Sequence, residues 1–250
     1  MISAVAAVAA VADAPVVIAG AGLHGASLAY YLTRRGVKPL IIDEVGVAAA
    51  ASGKGGGFLA RDWGSGPTSQ LHTASFALHE ELAGALSLSS YRKLPVLSIT
   101  PGKRNARTKD LCPWLEGGEY ARCEMMDPDG GAQVSPKELC TKLIEAALAD
   151  GAILRLGKVE GVATDDSDGD GRRVSGVVVD GDTIPASALV VTMGPWATLA
   201  QEWFKIPLPM TGIKSTSIVY RVDTPVEPFA LFCGEDDRFG THLEVRRPPA

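Results

Sequence analysis

The chain is poor in the residues that build metal sites and disulfide frameworks. Its 250 residues include only four cysteines and four histidines. No two cysteines have a CxxC spacing, which favours reduced thiols in an intracellular protein. Nothing near His72 or His79 completes a metal-binding set, so we predict no metal site. The sequence also shows no Ser/His/Asp or Cys/His arrangement typical of nucleophilic catalysis, and no catalytic residue is predicted.

The chain also lacks an excess of positive charge. It carries 24 Lys and Arg against 29 Asp and Glu, a net charge of −5, and its basic residues are scattered. This distribution argues against a nucleic-acid-binding surface. Hydrophobic residues make up 46% and charged residues 21%. These fractions predict a globular protein of one unit or two closely joined units, and indicate neither disorder nor a membrane protein.

No hydrophobic run is long enough to cross a bilayer. Residues 1–12 are rich in alanine and valine, but they lack a basic segment and are too short for a membrane span. We therefore interpret residues 1–13 as an N-terminal extension of a cytoplasmic protein. A cleaved or organelle-directed leader is the alternative interpretation.

The most informative pattern that is present is a glycine-rich turn between two apolar runs. A β-branched run over 15–19 leads into the GxGxxG pattern of Gly20–Gly25, and 26–35 has the apolar spacing of a helix. A second strand over 37–42 then ends at Asp43. This order predicts a βαβ dinucleotide-binding unit, with a pyrophosphate at the helix N-terminus and Asp43 accepting ribose hydroxyls. A doubly wound fold in which Asp43 only caps a turn is the structural alternative.

A second glycine-rich stretch, Val47–Ala60, has the composition of a loop that wraps a ligand. Its second half is too rich in glycine for a helix and too apolar for a disordered linker. Its backbone N–H groups, the Ser52 hydroxyl and the Lys54 ammonium group could all donate to an anionic ligand. Plain chain flexibility is the alternative. A simple nicotinamide-dependent dehydrogenase has no need of this second loop, although the GxGxxG pattern and Asp43 alone leave NAD open.

The remaining chain alternates between helical and strand patterns. Predicted helices cover 71–86 and 136–150, and predicted strands cover 152–156, 188–192, 210–220, 230–233 and 242–245. Residues 162–183 predict a hairpin or three-stranded meander. The aspartates of its turn, 165–171, are similar to the start of a calcium loop, but Val177 stands where the bidentate glutamate is needed, which favours a solvated turn.

Several motifs together resemble the FAD-dependent amino-acid oxidase superfamily, which includes D-amino-acid oxidase, glycine oxidase and sarcosine oxidase. They are Gly20–Leu32, Asp43, Ala51–Leu59 and Gly194–Trp196. More narrowly, three stretches resemble a eukaryotic branch of FAD-dependent oxidoreductases for which a role in membrane trafficking has also been proposed: Ser52–Ala60, Ser75–Ala83 and Ala132–Pro136. The resemblance runs from about Pro15 to the end of the chain.

This resemblance implies an α/β fold. A Rossmann-like FAD-binding domain of the glutathione-reductase type would comprise 14–65 and 130–203, and an inserted antiparallel β substrate domain would comprise 66–129 and 204–250. The chain stops at Ala250, short of where the family's substrate domain ends. The resemblance therefore implies a C-terminally truncated chain.

The resemblance also implies FAD as the cofactor and a set of residues that would hold it. That set is Gly20, Gly22, Leu23, His24, Gly25, Asp43, Glu44, Ser52, Gly53, Lys54, Gly56, Gly57, Phe58, Val159, Met193, Gly194 and Trp196. Within it, Asp43 would meet the adenosine ribose, the Val159 backbone the adenine, and Gly56–Phe58 the flavin ring. For the carboxylate of a substrate, the candidate cations are Lys214, Arg246 and Arg247.

The implied reaction is oxidation of a C–N bond in an amino acid or secondary amine, by hydride transfer to the flavin. A small-molecule amine is then the predicted partner. Two alternatives stay open. One is a flavin-fold protein that acts in endosomal or membrane trafficking with little catalysis and binds a trafficking partner, and the other is an NAD-dependent dehydrogenase.

Overall fold

A computed structural model of the chain describes residues 14–101, 120–125, 129–165, 173–218, 220–221, 223, 226–233 and 243–246. The chain divides into two compact units. The first comprises the described parts of Met1–Gly55 and Pro136–Ser215, and the second those of Gly56–Ser135 and Thr216–Ala250. Each unit is therefore built from two separate segments of the chain.

Strands and helices follow one another in an order close to the predicted one. The strands are β1 (Val16–Ala19), β2 (Leu40–Asp43), β3 (Phe58–Ala60), β4 (Arg92–Lys93), β5 (Val96–Pro101), β6 (Tyr120–Met125), β7 (Gly131–Gln133), β8 (Ile153–Leu156), β9 (Val159–Asp165), β10 (Arg173–Val179), β11 (Asp182–Pro185), β12 (Ala188–Val191), β13 (Ala230–Cys233) and β14 (Leu243–Arg246). The α-helices are α1 (Leu23–Thr33), α2 (Ala51–Lys54), α3 (Ser69–Ala85), α4 (Pro136–Ala149) and α5 (Ala200–Phe204). Among the described residues, Gly66–Thr68 and Gly194–Leu199 form 3₁₀ turns.

The first unit contains a parallel sheet with the strand order β12-β1-β2-β8. The chain moves outward from β1 through β2 to β8, and then returns to the other side of β1 to form β12. The strand order therefore reverses between β1 and β12, which is where doubly wound folds bind ligands. The predicted α/β class with a parallel sheet is confirmed.

Both faces of this sheet are covered, because side chains alternate along each strand. On one face, Val17, Ala19 and Ile42 pack against Val177 and Val179 of β10 in a buried cluster. On the other face, α1 packs against β1 and α4. A fully buried valine or isoleucine contributes about 1.5–3 kcal/mol relative to an exposed one, so these β-branched runs favour a buried parallel sheet.

An antiparallel meander connects β8 to β12. Strand β10 lies in its centre and pairs with β9 and β11. The three-stranded form of the predicted meander is therefore correct. Of the aspartate-rich turn at 165–171 that is similar to a calcium loop, Asp165 ends β9, and residues 166–171 lie outside the described residues.

The second unit contains two small sheets and α3. One sheet has the order β14-β13-β5-β6, and the other has the order β3-β7-β4. In the second of these, Phe58, Gln133 and Arg92 lie directly opposite one another across the three strands. The sheet therefore brings the end of the second glycine-rich stretch beside two polar side chains.

The stretch 47–60 is not the continuous loop that the sequence predicts. Residues Ala51–Lys54 form one helical turn, the glycines of 55–57 are irregular, and Phe58–Ala60 form a strand. The turn forms because the Gly53 N–H donates to the Ala50 carbonyl, and the strand forms because β7 supplies a pairing edge. Residues 47–50 and 55–57 keep turn or loop conformation.

The strand predicted over 210–220 is wrong. None of the described residues in this stretch lies in a strand, and the side chain of Ile213 is 92% exposed. Its β-branched residues favour extended backbone, but no described strand pairs with it, and β propensity without a pairing edge does not make a strand. Among the described helices, none is long and apolar enough to cross a membrane.

Candidate functional site

A cavity of about 500 Å³ opens in the first unit, beyond the carboxyl ends of β1, β2 and β12. This volume is typical of a small-molecule site. Most of the predicted cofactor residues line it, namely Gly20, Gly22, Leu23, His24, Asp43, Glu44, Ser52, Lys54, Val159, Met193, Gly194 and Trp196. The fold thus brings together five separate stretches of sequence at the point where its strand order reverses.

The turn between β1 and α1, which lines the cavity, needs glycine at two positions. Gly20 has a φ of +107°, and a Cβ there would lie 2.5 Å from the Thr192 carbonyl oxygen. A Cβ on Gly25 would overlap the Gly20 carbonyl oxygen. The Gly20 N–H also donates to the Ile42 carbonyl at 2.7 Å, which ties the turn to β2. The sharp reversal from β1 into α1 therefore depends on these missing side chains.

The N-terminus of α1 faces the cavity and is joined to the second glycine-rich stretch by Ser52. The Ser52 hydroxyl accepts the Leu23 N–H at 2.9 Å, and a Cβ on Gly22 would lie 3.1 Å from the same oxygen. Since a hydroxyl can accept and donate at once, the Ser52 proton stays available to a ligand. Helix N-termini favour anions through their unpaired N–H groups and dipole.

Asp43 organises the backbone at one side of the cavity. Its Oδ2 accepts the Ala21 N–H at 2.8 Å, while its Oδ1 accepts the N–H groups of Val45 at 3.0 Å and Gly46 at 2.8 Å. The Asp43 carbonyl accepts the Gly157 N–H at 3.0 Å. Asp43 therefore links the glycine turn, the loop after β2 and the residue that follows β8.

Thr192 is a part of this site that the sequence reasoning missed. Its hydroxyl lies 2.8 Å from the Ala19 carbonyl oxygen and 3.0 Å from that of Gly20, so it donates to the two carbonyls that begin the turn. Its N–H also donates to Ala19 at 2.8 Å. Its position at the end of the predicted strand 188–192, directly before the predicted cofactor residues Met193 and Gly194, is the signal that could have identified it.

Side chains of both charges line the cavity. His24 and Lys54 are exposed on one side, and Glu44 lies next to Asp43 on the other. Lys158, which the sequence reasoning also missed, lies beside Val159 and forms an ion pair with Glu160 at 3.6 Å. The cavity can therefore hold a ligand that carries an anionic group near α1 and hydroxyl groups near β2.

The structure does not bring every predicted residue to this cavity. Gly25 and Gly53 belong to the first unit without lining it, and Gly56, Gly57 and Phe58 belong to the second unit. Lys214 is exposed and is not among the residues that line the cavity. The backbone of Arg246 lies in β14, while its side chain and the whole of Arg247 fall outside the described residues. Within the described part of the chain, no group of three side chains could hold a metal ion.

A family model described as FAD dependent oxidoreductase (DAO) matches residues 15–247. The chain is also 30% identical, over 148 residues, to a Schizosaccharomyces pombe protein named as an oxidoreductase. That match covers 53% of this chain and 38% of the yeast protein. The chain thus spans well under two thirds of this relative's length.

Solved structures with the same fold include two enzymes that are named for amino-acid substrates. A glycine oxidase from Geobacillus kaustophilus superposes with a TM-score of 0.72 at 21% identity, covering 95% of this chain and 72% of that one. An L-amino acid deaminase from Proteus vulgaris superposes with a TM-score of 0.65 at 18% identity, covering 78% and 51%. At these identities the likeness shows the fold. None of these matches supports the trafficking protein or the NAD-dependent dehydrogenase.

Proposed function

Because the chain belongs to the FAD dependent oxidoreductase (DAO) family, whose members are FAD-dependent flavoproteins, we propose that its first unit binds FAD and that the whole protein oxidises a C–N bond of an amino acid or secondary amine. The observation that carries the proposal is the cavity at the reversal of strand order. Its glycine turn, helix N-terminus and carboxylate are the groups that a dinucleotide requires.

The residues present fit the pyrophosphate of FAD. The N-terminus of α1 offers N–H groups to the phosphates. Gly22 precedes this helix, and any Cβ at Gly22 would crowd the Ser52 oxygen at 3.1 Å. A glycine there leaves the backbone open to close approach by a phosphate. The exposed side chains of His24 and Lys54 line the same cavity, and the Lys54 ammonium group would compensate the negative charge.

Asp43 and Glu44 fit the adenosine ribose. A carboxylate has about four positions that accept a hydrogen bond. In Asp43, backbone N–H groups already occupy three of them. We therefore expect Asp43 to accept one ribose hydroxyl and the neighbouring Glu44 to accept the other. Two carboxylates would repel a 2′-phosphate.

The remaining cofactor contacts and the substrate are proposed from the family. Val159 would meet the adenine through its backbone, Met193–Trp196 would line the dinucleotide, and Gly56–Phe58 would lie nearer the flavin ring. When bound, FAD supplies the acceptor for a hydride from the carbon of the C–N bond. The named enzymes among the structural neighbours support an amino acid as the substrate. Lys214 and Arg246 stay candidates for its carboxylate, and the cytoplasm stays the proposed location.

Cofactor binding can be tested directly on the purified 250-residue chain. We expect added FAD to stay with the protein through gel filtration and to show its visible absorption bands, while NAD at equal concentration does not compete. Substitution of Gly22 by aspartate places a like charge at the phosphate position, and the variant should lose FAD while its far-UV circular dichroism is unchanged.

The reaction can be tested on the FAD-loaded protein by anaerobic bleaching of the flavin absorbance with glycine, proline and N-methyl amino acids. Bleaching by at least one amine supports the proposed reaction. A chain that binds no FAD, or that prefers NAD, would refute the proposed function. FAD that is retained but bleached by none of these amines would refute the proposed substrate class.

A further inference from the structure

The hairpin that joins β10 to β11 turns at Asp180 and Gly181. Their φ angles are +51° and +84°, and the flanking residues Val179 and Asp182 pair with each other, as in a two-residue type I′ turn. Glycine and asparagine adopt this backbone conformation as readily as aspartate does. The turn itself therefore does not need the carboxylate of Asp180, and the contacts of that carboxylate call for a separate explanation.

The Asp180 carboxylate lies against residues 157–159, which form one wall of the cavity. Its Oδ1 accepts the Lys158 N–H at 2.9 Å, and the Asp180 N–H donates to the Lys158 carbonyl at 3.1 Å. A Cβ on Gly157 would lie only 2.7 Å from Asp180 Oδ2, so the second oxygen packs directly against this glycine. Asp180 thus holds the wall from outside the cavity, without lining it.

The wall formed by residues 157–159 adjoins Asp43. The Gly157 N–H donates to the Asp43 carbonyl at 3.0 Å, so the wall begins beside the carboxylate that we propose to bind the ribose. The pyrophosphate is assigned to another part of the lining, the N-terminus of α1. Base and phosphate are attached to different carbons of a ribose. The group that leaves the ribose toward this wall is therefore the adenine.

We propose that Asp180 is a positioning residue for the adenine of FAD, which fixes the wall of residues 157–159 before the ligand binds. The proposal rests on the proposed function, since it takes FAD as the ligand of this cavity. Asp180, the wall and Asp43 all belong to the first unit. Glycine loses more conformational freedom on ordering than any other residue, so a wall that begins at Gly157 binds more tightly when it is ordered in advance.

The test is Asp180→Gly in the full chain, followed by titration with FAD and with ADP. Glycine keeps the turn, and its N–H can still donate to the Lys158 carbonyl, but the carboxylate is removed. ADP contains the adenosine and two phosphates without the flavin, so it reports on this end of the cavity. We expect the Kd of both ligands to rise by about fivefold, the size of one lost hydrogen bond.

Asp180→Asn is the conservative variant. Asparagine also adopts a positive φ, and its amide oxygen can accept the Lys158 N–H. We therefore expect it to keep the wild-type Kd for FAD and for ADP, although the negative charge is lost. If Asp180→Gly does not fold, Asp180→Ala removes the same carboxylate and is expected to raise both Kd values in the same way.

Asp182→Gly is the matched control. Asp182 is exposed, carries the same charge and follows the same turn, but it does not line the cavity. Glycine weakens a strand, so we expect this variant to unfold at a lower urea concentration than the wild-type chain. Its Kd values for FAD and ADP should be unchanged.

Four outcomes would overturn the inference and leave the proposed function intact. The first is a folded glycine or alanine variant of Asp180 with the wild-type Kd for FAD. The second is a rise in Kd that Asp182→Gly reproduces, and the third is one that Asp180→Asn reproduces, because charge would then be the cause. The fourth is a rise for FAD without one for ADP, or a wild-type chain in which ADP does not compete with FAD. A wild-type chain that binds no FAD refutes the proposed function as well.

Discussion

At the scale of single residues, Asp43 is a side chain whose hydrogen-bonding capacity can be changed at constant size. It accepts three backbone N–H groups, whereas asparagine has one acceptor oxygen and an NH₂ group that would face an N–H. We expect Asp43→Asn to lower the free energy of unfolding by about 1–3 kcal/mol without any ligand, since a buried donor is left unpaired. Urea unfolding followed by circular dichroism measures this.

The control for Asp43→Asn is Glu44→Gln. Glu44 is the next residue and is exposed, so its substitution removes the same charge without the backbone contacts. We expect its free energy of unfolding to stay within about 0.5 kcal/mol of the wild type. Equal losses for the two variants would mean that charge matters here and the N–H contacts do not.

Cys140 is a second residue whose environment has a measurable effect, in this case on the reactivity of its thiol. Desolvation by burial in α4 raises the pKa of its thiol from 9.0 to about 11. At pH 8 the thiolate fraction is then about a hundredfold smaller than for an ordinary thiol, because two pKa units separate them. We expect iodoacetamide to leave Cys140 unmodified in the folded chain and to modify it in urea, as read by peptide mass spectrometry.

The raised pKa of Cys140 also predicts how stability depends on pH. The unfolded chain releases the thiol proton near pH 9 and the folded chain near pH 11, so the free energy of unfolding should fall as pH rises between these values. Cys140→Ala should lose this part of the pH dependence. Rapid labelling of Cys140 in the folded chain at pH 8 would show that the thiol is accessible and ionises readily.

Some residue roles follow from the sequence and others do not. Asp43 ends an apolar run, and its place at the carboxyl end of β2 is visible in the pattern itself. Ser52 and Thr192 act across 29 and 172 positions, on Leu23 and Gly20. Such partners depend on which loops the finished sheet brings together, and no local pattern contains that information.

At the scale of elements, the turn between β1 and α1 depends on the end of β12. Thr192→Val keeps the shape of the side chain but removes the hydroxyl that donates to Ala19 and Gly20. We expect a loss of about 1 kcal/mol in the free energy of unfolding, together with about a tenfold weaker binding of FAD. Urea unfolding and FAD titration measure the two effects separately.

Thr33→Val is the matched control at the opposite end of the same helix. The Thr33 hydroxyl is buried and donates to the Tyr30 carbonyl at 2.9 Å, so the same kind of bond is lost far from the turn. We expect a similar loss of stability and an unchanged Kd for FAD. A fall in FAD affinity in both variants would show that the turn responds to general destabilisation of α1.

Strands with a local apolar pattern were predicted well even where their partners lie far along the chain, as for β12 beside β1 and β13 beside β5. The segment without a described partner was not. The βαβ unit, the meander and α4 all follow from local periodicity and glycine positions. Residues 210–220 have the same β-branched composition as real strands, yet Ile213 and Ile218 are exposed and no described strand pairs with them. The composition of a segment sets its β propensity, whereas its pairing with another strand depends on the rest of the fold.

At the scale of the whole molecule, each compact unit contains residues from two distant segments. The first unit begins with the glycine turn and is completed only after residues 56–135 have been added to the chain. Its parallel sheet needs β8 and β12 beside β1 and β2. The assignment of this unit to FAD binding and of the second to the substrate stays a prediction, and ligand-induced protection can test the first half of it.

FAD should stabilise the first unit as a whole, because a ligand that binds only the folded state adds to its stability. At a free concentration one hundred times the Kd, the gain is about 2.7 kcal/mol. We expect hydrogen exchange to slow in β1, β2, β12 and α1, whose ends line the cavity.

The exposed turns of α3, in the second unit, serve as the internal control and should exchange at the same rate with and without FAD. Protection of α3 without protection of β1 and α1 would place the ligand elsewhere and refute the assignment of the cavity.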